Sequence, residues 1–173
     1  MTIYGRIYLT LHDEENALRI ARLEATNFLV IPRLQIDLPA SISEDNFHPP
    51  SLTDIFKFDE MMQCIERKNP SKKLVFCAGR TAHDQSRAAF LIGCHAIVSC
   101  GAQLVEIRKS ISRLNFTFNQ RTHSISTGLT IQSCLSAVFR AKESNWIDFR
   151  ETFSTLPANC HSIQMEEYMH YAR

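Results

Sequence analysis

The sequence predicts one α/β domain, a small central sheet flanked by several helices. Three observations predict it. Short β-prone runs lie in the first half of the chain, at residues 3–11 and 26–36. "KLVFCAG", residues 73–79, is a continuous apolar run of the kind buried on both faces of a sheet. Helical patterns dominate afterwards, and the first of them, over residues 84–99, is apolar on nearly every side, which places it in the middle of a core. The 173 residues suit one domain of ordinary size, with 45% hydrophobic and 21% charged residues in a normal globular balance.

Taken in order, "IYGRIYLTL" alternates and reads as an opening strand. "HDEENALRIARLEA" leaves a short helix and a polar excursion equally open. "TNFLVIPRLQI" is a second β-prone run that Pro32 interrupts, which suggests an edge or a break. A polar loop with three prolines follows, to Ser51. Ser51 with Asp54 forms a capping box with Asp in place of Glu, and Leu52, Ile55, Phe56, Met62 and Ile65 recur near helical spacing behind it. Pro70 ends that helix. Gly101 marks a turn after the apolar helix, and "AQLVEIRKSISRL" is a shorter amphipathic helix. "NFTFNQRTHS" is a loop. Residues 124–144 read as another helix with Gly128 as a weak point. "NWIDFRETF" is a short helix or turn carrying aromatics, and "SIQMEEYMHYAR" ends the chain as a helix.

Charge and composition exclude several classes. A formal net charge of +1 gives no field suited to nucleic acid or membrane. No apolar run approaches the roughly 18 residues that span a bilayer, and "MTIYGRIYLT" lacks the pattern of a signal peptide. The six Cys include no CxxC pair and the seven His show no ligand spacing, so neither metal nor cofactor is expected. Most of the Cys read as buried free thiols of an intracellular protein, cytoplasmic or nuclear. His95, on the apolar helix, reads as a satisfied core residue.

The chemistry-bearing stretch is "LVFCAGRTAHDQSRAAFLIG", residues 74–93. A strand ends in Cys77, Gly79 and Arg80 follow, and a helix begins. That is the order of parts in a cysteine-dependent phosphatase. Such an enzyme needs a thiolate of lowered pKa and a loop of five residues that aims its amides at phosphate and ends in an Arg facing the Cys. Here the sixth position after Cys77 is His83. Arg80 comes three residues after Cys77 and Arg87 ten residues after it, and Phe76 stands where working enzymes usually carry His. Three readings stay open. Cys77, Arg80 and Arg87 form an altered active loop; Gly79, Arg80, Thr81 and His83 bind an anion passively; or the segment is a strand-to-helix connection with Cys77 a buried thiol. "CLSAVFR", Cys134 to Arg140, has the right count but no glycine and lies in a helix, so it reads as coincidence. Asp45 and Asp54 read as a loop residue and a helix cap rather than as a general acid.

"RAAFLIGCHAIVSCGAQLVEIRKSI" resembles a stretch of the mitotic-exit, cell-division-cycle-type dual-specificity protein phosphatases, in their N-terminal, non-catalytic half. Their tail "DEYEHYE" looks like "EEYMHYAR" here, through Glu166, Glu167, Tyr168, His170 and Tyr171. "NWIDFRETF" and "FHPPSLTDIFKF" extend the likeness, which covers roughly residues 27–173. The resemblance implies a dual-specificity-phosphatase-like domain over residues 1–163, catalytically degenerate, and the start of a linker helix over 164–173. It also implies a catalytic phosphatase half as partner, in the same chain or separate, and a phosphoprotein substrate carrying phosphoserine, proline and a basic residue. Glu106, Glu166, Glu167 and Tyr168 fall on the positions that would line the groove or interface. The family's acidic helix start "PEEAYR" is reduced here to "QLVEIR", which keeps Glu106 alone and attracts a cationic peptide less strongly. Trp146, Phe149 and Phe153 are expected either at a contact surface or closing the core.

Overall fold

A computed structural model describes residues 2–10, 27–31, 47–79, 81–114 and 129–147. Within them the order is β1 (Thr2–Tyr4), β2 (Ile7–Thr10), β3 (Phe28–Ile31), α1 (Leu52–Lys68), β4 (Lys73–Cys77), α2 (Ala82–Val98), α3 (Leu104–Ile111) and α4 (Ile131–Glu143). The sheet runs β1-β2-β4-β3. β1 and β2 are antiparallel, while β4 is parallel to both of its neighbours, with Leu9 opposite Phe76 and Ile31 opposite the same residue from the other side.

The opening run is a hairpin rather than one strand. Gly5, at φ +50°, takes the left-handed conformation that side-chain-bearing residues avoid, and the chain reverses between Tyr4 and Ile7. Arg6 projects from this turn to the end of α1. Its guanidinium donates to the carbonyls of Asn69, Lys72 (2.9 Å) and Glu66 (3.2 Å), at and just beyond the C-terminal end of the helix. β4 is central and apolar as expected, with Leu74 and Phe76 buried. Among the described residues β3 is an edge strand.

α1 starts as the sequence predicts. Ser51 Oγ accepts from the Asp54 N–H at 3.1 Å, and Asp54 Oδ2 accepts from the Ser51 N–H at 3.0 Å. α2 starts two residues before the expected position 84, capped by Thr81. It touches α1, α3, α4, β1 and β2, so it is the helix around which the domain is built. Gly93 allows the closest of these approaches: a Cβ there would lie 2.9 Å from Leu135 of α4 and 3.2 Å from Ile107 of α3. α4 begins at Ile131, later than the sequence predicts, because the Thr130 side chain accepts from the Ser133 N–H and closes the helix start there. Residues 124–128 lie outside the described residues, as do the expected elements over 12–25 and 148–173. Of the cysteines, Cys77 and Cys94 are buried as expected, whereas Cys64, Cys100 and Cys134 are only partly so. Among the described residues, no helix is long and apolar enough to cross a membrane.

Candidate functional site

Parallel pairing with β2 and β3 delivers Cys77 to the carboxyl end of the sheet, where ligands of open α/β sheets commonly bind. Cys77 stands opposite Thr10, and the next amide, Ala78 N–H, donates to the Thr10 carbonyl at 2.9 Å. The Cys77 side chain is buried, 5% exposed. Beyond it the chain enters α2 through Gly79 and Thr81, and the space above Gly79 is filled. A Cβ built there would lie 2.2 Å from Asp84 Oδ2. That carboxylate accepts from Thr81 Oγ1 at 2.8 Å, and Thr81 Oγ1 accepts from the Asp84 N–H at 3.0 Å. The helix start, whose free amides attract anions, therefore holds its own carboxylate.

The other loop candidates are placed as follows. Arg80 lies outside the described residues. His83 is in the first turn of α2, its ring 6.5 Å from that of His48. Arg87 is one turn further along and nearly buried, with Nη2 3.6 Å from Asp54 Oδ2 at the start of α1. Burial pulls the Arg87 pKa down, opposed by Asp54 and Asp84. Cys134 and Arg140 are both within α4, where no phosphate-cradling loop can form.

A second cluster joins α1 to the end of α2. His95 is 1% exposed, and its Nδ1 lies 2.6 Å from Asp59 Oδ1. Its Nε2 faces Glu66 Oε2 at 3.3 Å and Cys100 Sγ at 3.5 Å. Asp59 is itself fixed by Ser99 Oγ at 2.7 Å and by Gln63 Nε2 at 2.7 Å. Burial alone would push the His95 pKa down, but its bonds to Asp59, Cys100 and Glu66 outweigh burial and raise it to about 11. The His95 hydrogen bond in turn lowers the Glu66 pKa, against the opposing effect of burial. His95 is the satisfied core residue the sequence predicts, and the sequence pattern does not reveal its charged partners. They were hidden because Asp59 is 36 residues away on another helix. The available signal was spacing: Asp59 and Glu66 are two turns apart on one face of α1.

The third feature is an open groove of about 650 Å³ between α3 and α4, lined among others by Arg108, Ser136, Arg140 and Trp146. Arg108 Nη2 donates to Ser136 Oγ at 2.5 Å across it. Glu106, in the first turn of α3, is exposed and accepts from the Gln103 N–H at 3.3 Å. Val105 and Trp146 are 75% and 76% exposed. Glu166, Glu167, Tyr168, Phe149 and Phe153 lie outside the described residues.

Strand, cysteine, loop and buried helix, set in a small mixed sheet, define a phosphatase-shaped α/β domain. The family described as dual specificity protein phosphatase, N-terminal half, matches residues 3–141, most of the chain, and the chain belongs to that family. No curated protein matches it.

Proposed function

We propose that this domain is the non-catalytic half of a dual specificity protein phosphatase of the mitotic-exit type, supplying substrate recognition or docking to a catalytic half. One observation carries the proposal: the loop after Cys77 has His83 where a phosphate-closing guanidinium would stand, and the Asp84 carboxylate occupies its helix start. A carboxylate there repels both a thiolate and a phosphoryl group. Arg87 faces Asp54 of α1 at 3.6 Å, a pairing that supports this reading.

The docking face in this reading is the exposed side of α3 and α4, where Val105 and Trp146 present apolar surface beside Arg108 and Arg140. Glu106, with Glu166, Glu167 and Tyr168 of the tail, would meet a basic residue of a phosphoserine-proline substrate. Residues 164–173 would begin a linker helix to the catalytic half.

The direct test is hydrolysis of an aryl phosphate by the wild type and by Cys77→Ser. The expected result is no turnover above the blank in either protein. Turnover present in the wild type and abolished by Cys77→Ser would make the domain an enzyme and overturn the proposal.

A further inference from the structure

The cluster of Glu66, His95 and Cys100 is independent of the Cys77 loop, and it brings a carboxylate, an imidazole and a thiol together. We infer that these three side chains bind a zinc-class divalent ion, one that links the C-terminal end of α1 to the C-terminal end of α2.

Three observations support the site. The first is the set of separations. An ion bound tetrahedrally at about 2.0–2.1 Å from nitrogen, about 2.0–2.2 Å from a carboxylate oxygen and about 2.3 Å from sulfur spaces its ligands about 3.3 Å apart for N···O and about 3.5 Å for N···S. His95 Nε2 lies 3.3 Å from Glu66 Oε2 and 3.5 Å from Cys100 Sγ. All three ligand atoms are within 4.8 Å of one another. The second is the support behind the ligands. Metal-bound histidines usually hold their other ring nitrogen against a carboxylate, which fixes tautomer and orientation. His95 Nδ1 is held by Asp59 at 2.6 Å, and Asp59 is braced by Ser99 and Gln63. Arg6 sits on the other oxygen of Glu66, Oε1, at 3.8 Å, and leaves Oε2 turned to the imidazole.

The third is access and donor type. Glu66 and Cys100 are only partly buried, so an ion and a completing water can reach the site from one side. Imidazole, thiolate and one carboxylate suit zinc or a neighbouring transition ion and disfavour magnesium and calcium. On binding, the ion displaces the thiol proton of Cys100 and the Nε2 proton of the imidazolium, and both protons go to solvent. His95 keeps its Nδ1–H bond to Asp59, so the buried carboxylate keeps a positive neighbour in both states.

The test is titration of the chelator-treated full chain with Zn²⁺ by calorimetry and with Co²⁺ by absorption, beside Cys100→Ser, Glu66→Gln and Cys134→Ser. One equivalent of Zn²⁺ is expected to bind and raise the melting temperature. Co²⁺ is expected to give a sulfur-to-metal charge-transfer band. Cys100→Ser should abolish that band, and Cys100→Ser and Glu66→Gln should each weaken zinc binding by about tenfold or more. Cys134→Ser should bind as the wild type does. No saturable uptake by the wild type, or unchanged affinity in either ligand variant, would overturn the inference. Glu66, half-buried near the end of α1, keeps the test decisive if the Cys100 variant folds poorly.

Discussion

His95 is almost wholly out of water, yet Asp59 and Glu66 from α1 and Cys100 at the end of α2 face it, with Arg6 behind Glu66, and the two carboxylates favour its doubly protonated form. Its pKa rises from 6.5 to about 11 on folding. A raised pKa stabilises the fold fully below the unfolded value and progressively less as pH climbs to the folded one. With chelator present, the urea midpoint is therefore expected to fall from pH 6.5 toward pH 11, and His95→Gln should remove most of that slope. A wild-type midpoint constant over this range would contradict the assignment. Cys94 shows burial reinforced by like charges: desolvation first, then Cys134 and Asp59, push its thiol well above the usual range. A disulfide reagent applied to the native chain should leave Cys94 unmodified while it labels the partly exposed Cys64. Mass mapping reads this directly. At this scale the sequence showed that Cys77 lacked its arginine, since that is a matter of counting. It did not show the Asp84 carboxylate above Gly79, which depends on where Thr81 starts the helix.

Helix starts and a close approach decide the fit of the elements. α1 was legible because Ser51 and Asp54 form a local, reciprocal pair. α4 was read from residue 124 because its apolar pattern continues backwards, while Thr130 and Ser133 end the helix at Ile131 by hydrogen bonding. Thr130→Ala should cost about 1 kcal/mol in denaturant unfolding. The opening hairpin was read as a strand because alternation persists through Gly5, and a two-residue turn interrupts that pattern very little. In α2, Gly93 is where α3 and α4 both come close. Gly93→Val should destabilise by about 1–3 kcal/mol, since added volume meets the fully buried Leu135 and Ile107. A urea midpoint at or above wild type would show that the three helices can part at little cost.

Across the whole molecule, one central helix and one central strand account for both the α/β class and the position of the loop. Both were legible because each is apolar without alternation, a pattern that only complete enclosure tolerates. The outward face of α3 and α4 was not legible, because exposure depends on what packs nearby. Trp146 is the sole tryptophan and lies on that face, so its emission reports docking. Acrylamide should quench it readily in the free chain and several-fold less once a catalytic dual specificity phosphatase half is added. Equal quenching with and without that half would remove this face from the proposed interface.

The measurement closest to the central claim is a titration of the wild type with inorganic phosphate, followed through the backbone amide resonances of Ala78, Gly79 and Thr81. With the Asp84 carboxylate already on this helix start, those resonances should not move, and Asp84→Asn should make them responsive. Saturable shifts at Gly79 and Thr81 in the wild type would contradict the account.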